Sequence, residues 1–123
     1  MNPPNNIALY SAGRVSVADR ASNRIQIFEP DGRLVAELKQ FGRPSAVVID
    51  KNDIIYVADS RSNPTNNPGF RQGVRIGSAK DGRVTAFISE PCAEVGAPEG
   101  VGVDDAGNVY GRLYGEDDRA MVR

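Results

Sequence analysis

Asn5, Ser45 and Glu99 each stand directly after a proline (Pro4, Pro44 and Pro98), and each proline opens an apolar segment. An amide, a hydroxyl and a carboxylate at one recurring place can hold an anion, a cation or only water. Guanidinium groups accompany them. Arginine outnumbers lysine twelve to three, and Arg20, Arg61 and Arg71, with Asn23, Arg24, Asn63, Arg75 and Arg112, fall on or near the intervening loops. The sequence has no histidine, which excludes Ser-His-Asp and Cys-His catalysis and any zinc site built on imidazole. Cys92 is the single cysteine. It can form no internal disulfide, and with no base to activate it the thiol reads as an incidental loop residue.

The spacing of these residues points to what must position them. Pro4 and Pro44 lie 40 residues apart, as do Val17-Ala18-Asp19 and Val57-Ala58-Asp59, and a fixed period of that length marks a repeat architecture. From Pro44 to Pro98 the distance is 54, so the second unit carries 14 extra residues. The pairs Asp31-Gly32 and Asp81-Gly82 are 50 apart, which assigns ten of the extra residues to Ser60–Gly73 and four to Ser89–Ala97. Within each unit the apolar segments are short, β-branched and bounded by turn residues, as strands are, and no window supports a helix. The expected strands are 5–9, 14–18, 24–28 and 33–38, then 45–49, 54–58, 73–77 and 83–88, then 99–103, 107–111 and 119–122. Residues between the alternating positions are also apolar, so both faces of the strands should be covered. Asp-Gly between strand segments predicts hairpins, because glycine accepts the positive φ of the turn.

Four antiparallel strands per unit make a propeller blade. The chain is therefore expected to be all-β: one propeller segment over 1–123, with a blade at 4–43, a second at 44–97 carrying a loop insertion at 60–73, and a partial third at 98–123. Asp19 and Asp59 end strands before loops of small residues. Each most simply accepts hydrogen bonds from loop amides or pairs with an arginine such as Arg24, and recurrence in both units favours structure over catalysis. Asp50 and Asp104 read the same way. Asn23 suits a left-handed backbone position. The run Gly115-Glu116-Asp117-Asp118-Arg119 lacks the spacing of a calcium loop and reads as solvated.

The run from Val17 to Leu34, followed by Phe41-Gly42-Arg43-Pro44-Ser45-Ala46-Val47-Val48-Ile49-Asp50 and Ile55-Tyr56-Val57-Ala58-Asp59-Ser60, resembles the NHL repeat. Within that family, Asn67 to Gly82 is similar to bacterial six-bladed propellers of the peptidyl-α-hydroxyglycine α-amidating lyase type. The resemblance implies a central channel whose mouth receives the residues after the unit prolines. In those lyases that residue is commonly a zinc-binding histidine, and an arginine after Val-Ala-Asp contributes to the active site. Arg20 matches the arginine and is the one catalytic candidate. Asn5, Ser45 and Glu99 replace the histidines, so zinc chemistry is expected to be lost. Some related propellers hold a divalent cation through carboxylate and amide oxygens, which makes Glu99 and Asn5 candidate calcium ligands. Asn5, Ser45, Glu99, Arg20, Arg61 and Arg71 are the candidate ligand-binding set.

Fifteen basic and sixteen acidic residues give a net charge of −1. Although NHL propellers can bind RNA through a basic face, these arginines are spread through all units among acids, which argues against a nucleic-acid partner. No signal-like N-terminus and no membrane-length apolar run is present, so a soluble, cytoplasmic product is expected. Fewer than three blades leave apolar faces open, whereas propellers close with about four to eight. Homodimerisation to six blades is the expected remedy, with a non-catalytic binding role at the channel mouth and a metal-dependent lyase-like or lactonase-like enzyme as the alternative.

Overall fold

A computed structural model of the chain describes residues 4–89, 97–113 and 120–122. Cys92 and the acidic run 115–119 lie outside them. Among the described residues there are eleven strands: β1 (Asn6–Leu9), β2 (Val15–Asp19), β3 (Arg24–Phe28), β4 (Leu34–Leu38), β5 (Pro44–Ile49), β6 (Ile54–Asp59), β7 (Gly73–Ser78), β8 (Val84–Ser89), β9 (Pro98–Val103), β10 (Val109–Leu113) and β11 (Ala120–Val122). They form three antiparallel sheets in sequence order, β1-β2-β3-β4, β5-β6-β7-β8 and β9-β10-β11. These are the expected blades, with strand ends within about two residues of the sequence-based bounds. Two short 3-10 turns, Ser11–Gly13 and Arg20–Ser22, follow β1 and β2. A single tight turn has no periodicity for a sequence window to detect.

The hairpins explain the turn residues. Glu29 N–H donates to the Arg33 carbonyl and Gly32 N–H to the Glu29 carbonyl, with Gly32 at φ +90°. This is a three-residue loop closing on a left-handed residue, and the register shift beside Phe28 takes up the odd residue. The same loop joins the first two strands of blades two and three, with Asp53 and Gly107 in the left-handed slot, whereas in blade one Ala12 and Gly13 are both left-handed and Arg14 N–H donates to the Ser11 carbonyl. Asp53 is the exception among glycines. Its carboxylate accepts from the Ser11 backbone and hydroxyl, and its carbonyl accepts from Ala79 N–H. Asp53 thus ties the turn of blade one to that of blade two. Asp50 accepts from the Asn52 and Ile54 backbones and the Tyr56 hydroxyl, and Asp104 from Asn108 and the Tyr110 hydroxyl. Both act as turn anchors, as expected. Burial and Asp50 raise the Tyr56 pKa, and those same Asn108 and Tyr110 bonds hold Asp104 below the usual carboxylate value.

The apolar core lies between blades. Ala18, Ile25, Ile27 and Leu38 of blade one meet Val47, Ile55, Val57 and Ala79 of blade two, with Phe41 from the link between them. On the opposite face of blade two, Tyr56 and Val74 pack with Val109, flanked by Val48, Ile76, Val101 and Val103. Strands covered on both faces are therefore found in blade two. Blade one has one neighbour, and its outer face leaves Ile7 63% and Leu9 71% exposed.

Candidate functional site

Each blade begins with its inner strand, so the residues after Pro4, Pro44 and Pro98 come together where β1, β5 and β9 start. The Asn5 side-chain amide donates to the Ser45 carbonyl. The Ser45 hydroxyl meets that of Ser60, and Ser60 donates to Glu99 Oε1 at 3.0 Å. Arg61 Nη2 lies 3.1 Å from the same oxygen. One polar chain, Asn5–Ser45–Ser60–Glu99–Arg61, therefore crosses all three blades. Ser45 and Ser60 are buried, whereas Glu99 is partly accessible and Arg61 about half exposed.

Four of the six residues singled out from the sequence, Asn5, Ser45, Glu99 and Arg61, are thus in one network. Arg20 opens the 3-10 turn after β2 and is half-buried, and no bond joins it to that network. The exposed Arg71 contributes through its carbonyl, which accepts from Arg75 Nη2 at 2.8 Å. Arg75 itself, expected on a loop near the mouth, is 7% exposed within β7. Its guanidinium lies 3.2 Å from Asp59 Oδ2 and stacks between Phe70 and Phe87, 5.0 and 4.6 Å from the ring centres. Burial lowers the Arg75 pKa while Asp59 pulls it back up. Arg75 lies third in a strand of apolar neighbours, and sequence spacing alone does not tell a buried arginine from an exposed one.

Ser60 was missed by the sequence reading. It occupies the slot of Arg20, 40 residues on, and that register equivalence is the signal that could have found it.

The insertion is built on Asp59. This fully buried carboxylate accepts from the backbone N–H groups of Arg43, Arg61 and Ser62 and from the Ser62 hydroxyl, besides Arg75. From Ser62 the order spreads outward: Gln72 donates to its carbonyl, Asn67 to its hydroxyl, and Asn63 accepts from the Thr65 and Asn66 backbones. A Cβ on Gly42, whose φ is +86°, would lie 2.2 Å from Asp59 Oδ2, so only glycine fits there. Asp19, the counterpart in blade one, pairs with Arg24 at 2.8 Å as expected, and Asn23 takes the left-handed conformation at φ 54°.

Within this arrangement the Asn5 amide, the two serine hydroxyls and the Arg61 guanidinium all point to partners in the network. Calcium takes about six to eight oxygen ligands, yet Glu99 Oε1 already receives a hydroxyl and a guanidinium, and the Asn5 amide is turned to a carbonyl. Among the described residues no cluster of three or more metal-ligating side chains occurs. Nor is any helix long and apolar enough to cross a membrane.

No protein-family model and no curated protein sequence matches the chain. Solved structures do. Hydrazine synthase of Kuenenia stuttgartiensis is similar over 97% of this chain and 32% of its own, with 17% identity and a TM-score of 0.73. A protein of unknown function from Bacteroides caccae is similar over 92% of this chain and 39% of its own, at 16% identity and TM-score 0.67. Virginiamycin B lyase of Staphylococcus aureus is similar over 97% of this chain and 40% of its own, at 14% identity and TM-score 0.65. The chain spans about a third to two fifths of these proteins. Likeness at such identity concerns the fold alone, which is all-β and a partial β-propeller.

Proposed function

We propose that the chain is a non-catalytic, NHL-type β-propeller module that self-associates and presents the polar mouth of its channel to a small anionic ligand. The observation that carries the reading is the Asn5–Ser45–Ser60–Glu99–Arg61 network, which joins the leading ends of three inner strands. Its carboxylate is already offset by a guanidinium, and Arg20 and Arg71 add positive charge in neighbouring loops. A carboxylate or phosphate group offers acceptors to such donors. Amidating-lyase chemistry would need imidazole ligands where this chain has Asn5, Ser45 and Glu99.

The test is a nuclear magnetic resonance titration with sodium phosphate, and separately with calcium chloride. Phosphate is expected to shift the amides of Ser45, Ser60, Arg61 and Glu99, and calcium to leave them in place. A turnover assay on a peptidyl-α-hydroxyglycine with added zinc is expected to show none. Stoichiometric metal, together with turnover abolished by Glu99→Ala or Arg20→Ala, would establish the enzyme reading instead.

A further inference from the structure

The insertion after β6 is held at both ends by a single ion pair. At its start, Asp59 Oδ1 accepts from the backbone N–H groups of Arg61 and Ser62, at 3.1 and 2.9 Å. At its end, the Arg75 guanidinium donates to the Arg71 carbonyl at 2.8 Å and stacks on the Phe70 ring. Asp59 and Arg75 are themselves paired at 3.2 Å, and 0% and 9% of their side chains are exposed. Gln72, which donates to the Ser62 carbonyl at 3.0 Å, laces the two ends together. Blade one has neither part of this lock. Its loop between β2 and β3 is only residues 20–23, and Gln26, paired with Val17 as Arg75 is with Val57, stands in the slot of the arginine. The buried cation and the insertion therefore come together. The first residues of the insertion also reach the mouth. Ser60 and Arg61 both close on Glu99 Oε1, at 3.0 and 3.1 Å. Arg61 is thus fixed twice, by its backbone on Asp59 and by its guanidinium on Glu99.

We propose that the insertion regulates the mouth: docked on Asp59 and Arg75 it admits an anion, and released it excludes one. This rests on the anion binding read above and adds its control. The reason is electrostatic. When the insertion leaves the Asp59–Arg75 pair, the Arg61 backbone loses its anchor, and Glu99 stands at the mouth without its counter-charge. A carboxylate in that state repels an anion, whereas the docked insertion offsets it. The anion therefore has different affinities for the docked and released states, and a ligand shifts an equilibrium by that difference. Coupling of this kind is reciprocal. An anion at the mouth tightens the docking, and loosening the outer lock at Phe70 or Gln72, which take no part in the mouth network, weakens the anion.

The test titrates sodium phosphate into the full chain and follows the mouth amides by nuclear magnetic resonance, at constant ionic strength set with sodium chloride. The variants are Phe70→Ala, Gln72→Ala and Phe70→Tyr, and circular dichroism identifies any that unfolds. Gln72→Ala, which removes a single hydrogen bond, carries the test where Phe70→Ala costs the fold. Loss of the ring or of the amide is expected to raise the phosphate dissociation constant about fivefold or more. Tyrosine keeps a ring on Arg75 and should bind as the parent does. A lock that only stabilised the fold would lower the melting temperature and leave the dissociation constant unchanged. In the parent, phosphate is expected to slow amide exchange at Ser62, whose N–H is held by Asp59, and chloride to leave it as it is. Reciprocity demands both results. Parental affinity in the folded alanine variants, or Ser62 exchange indifferent to phosphate, overturns the coupling and leaves anion binding standing. A parent whose mouth amides do not respond to phosphate overturns both.

Discussion

Asp19 and Asp59 show how one residue in one register slot can do different amounts of work. Asp19 sits at a partly open edge with Arg24, and an exposed or half-exposed pair contributes about 0.2–1 kcal/mol. Asp59 is fully buried with five donors, one of them the nearly buried Arg75. Breaking such a pair leaves a charge without its partner in a medium that solvates it poorly. Asp59→Asn is therefore expected to lower unfolding free energy by about 3 kcal/mol, and Asp19→Asn by less than about 1 kcal/mol. Urea denaturation followed by circular dichroism measures both, and equal losses would contradict the central place given to Asp59. Both aspartates were legible as turn organisers from Val-Ala-Asp and the small residues after it. What could not be read was depth: that depends on Phe70 and Phe87 closing over Arg75 from the insertion and from β8, contacts 5 and 12 residues away with no fixed spacing to announce them.

At the level of the hairpin, the slot shared by Asp53 and Gly107 sets two effects against each other. A left-handed conformation costs a non-glycine residue about 1–2 kcal/mol, and aspartate is among the residues that tolerate it best. Against this, Asp53 accepts from Ser11 across the blade boundary, and a hydrogen bond to a charged group is worth about 1.5–3 kcal/mol. The bond wins. Asp53→Gly is expected to destabilise the chain by about 1 kcal/mol despite relieving the backbone, and Ser11→Ala by a similar amount, with the double variant no worse than either. Thermal or urea melts of the three variants check the coupling, and a stabilising Asp53→Gly would refute it. Strand positions, the order of the sheets and the site of the insertion were all legible, because proline, Val-Ala-Asp and Asp-Gly keep their offsets. The contact across the blade boundary was not, since Ser11 and Asp53 lie in turns whose sequences differ between blades.

For the whole molecule, the two interblade cores make stability a nearest-neighbour property, as in repeat proteins whose units contact only adjacent ones. Blade two is packed on both faces and blades one and three on one each, a difference visible in β6, which is buried from Ile55 to Asp59, against β1, which is exposed at three of its four positions. Local opening free energies follow the number of buried contacts that must be broken. Amide hydrogen exchange is accordingly expected to be slowest in β5–β7 and at least tenfold faster in β1 and β9, a difference of about 1.4 kcal/mol or more. Self-association would change the pattern in a way that no internal rearrangement would. If self-association covers the Ile7/Leu9 face, protection of β1 should rise with protein concentration while that of β6 stays nearly constant. Exchange measured at two concentrations a hundredfold apart separates the cases: protection of β1 that does not depend on concentration means that its apolar face stays uncovered.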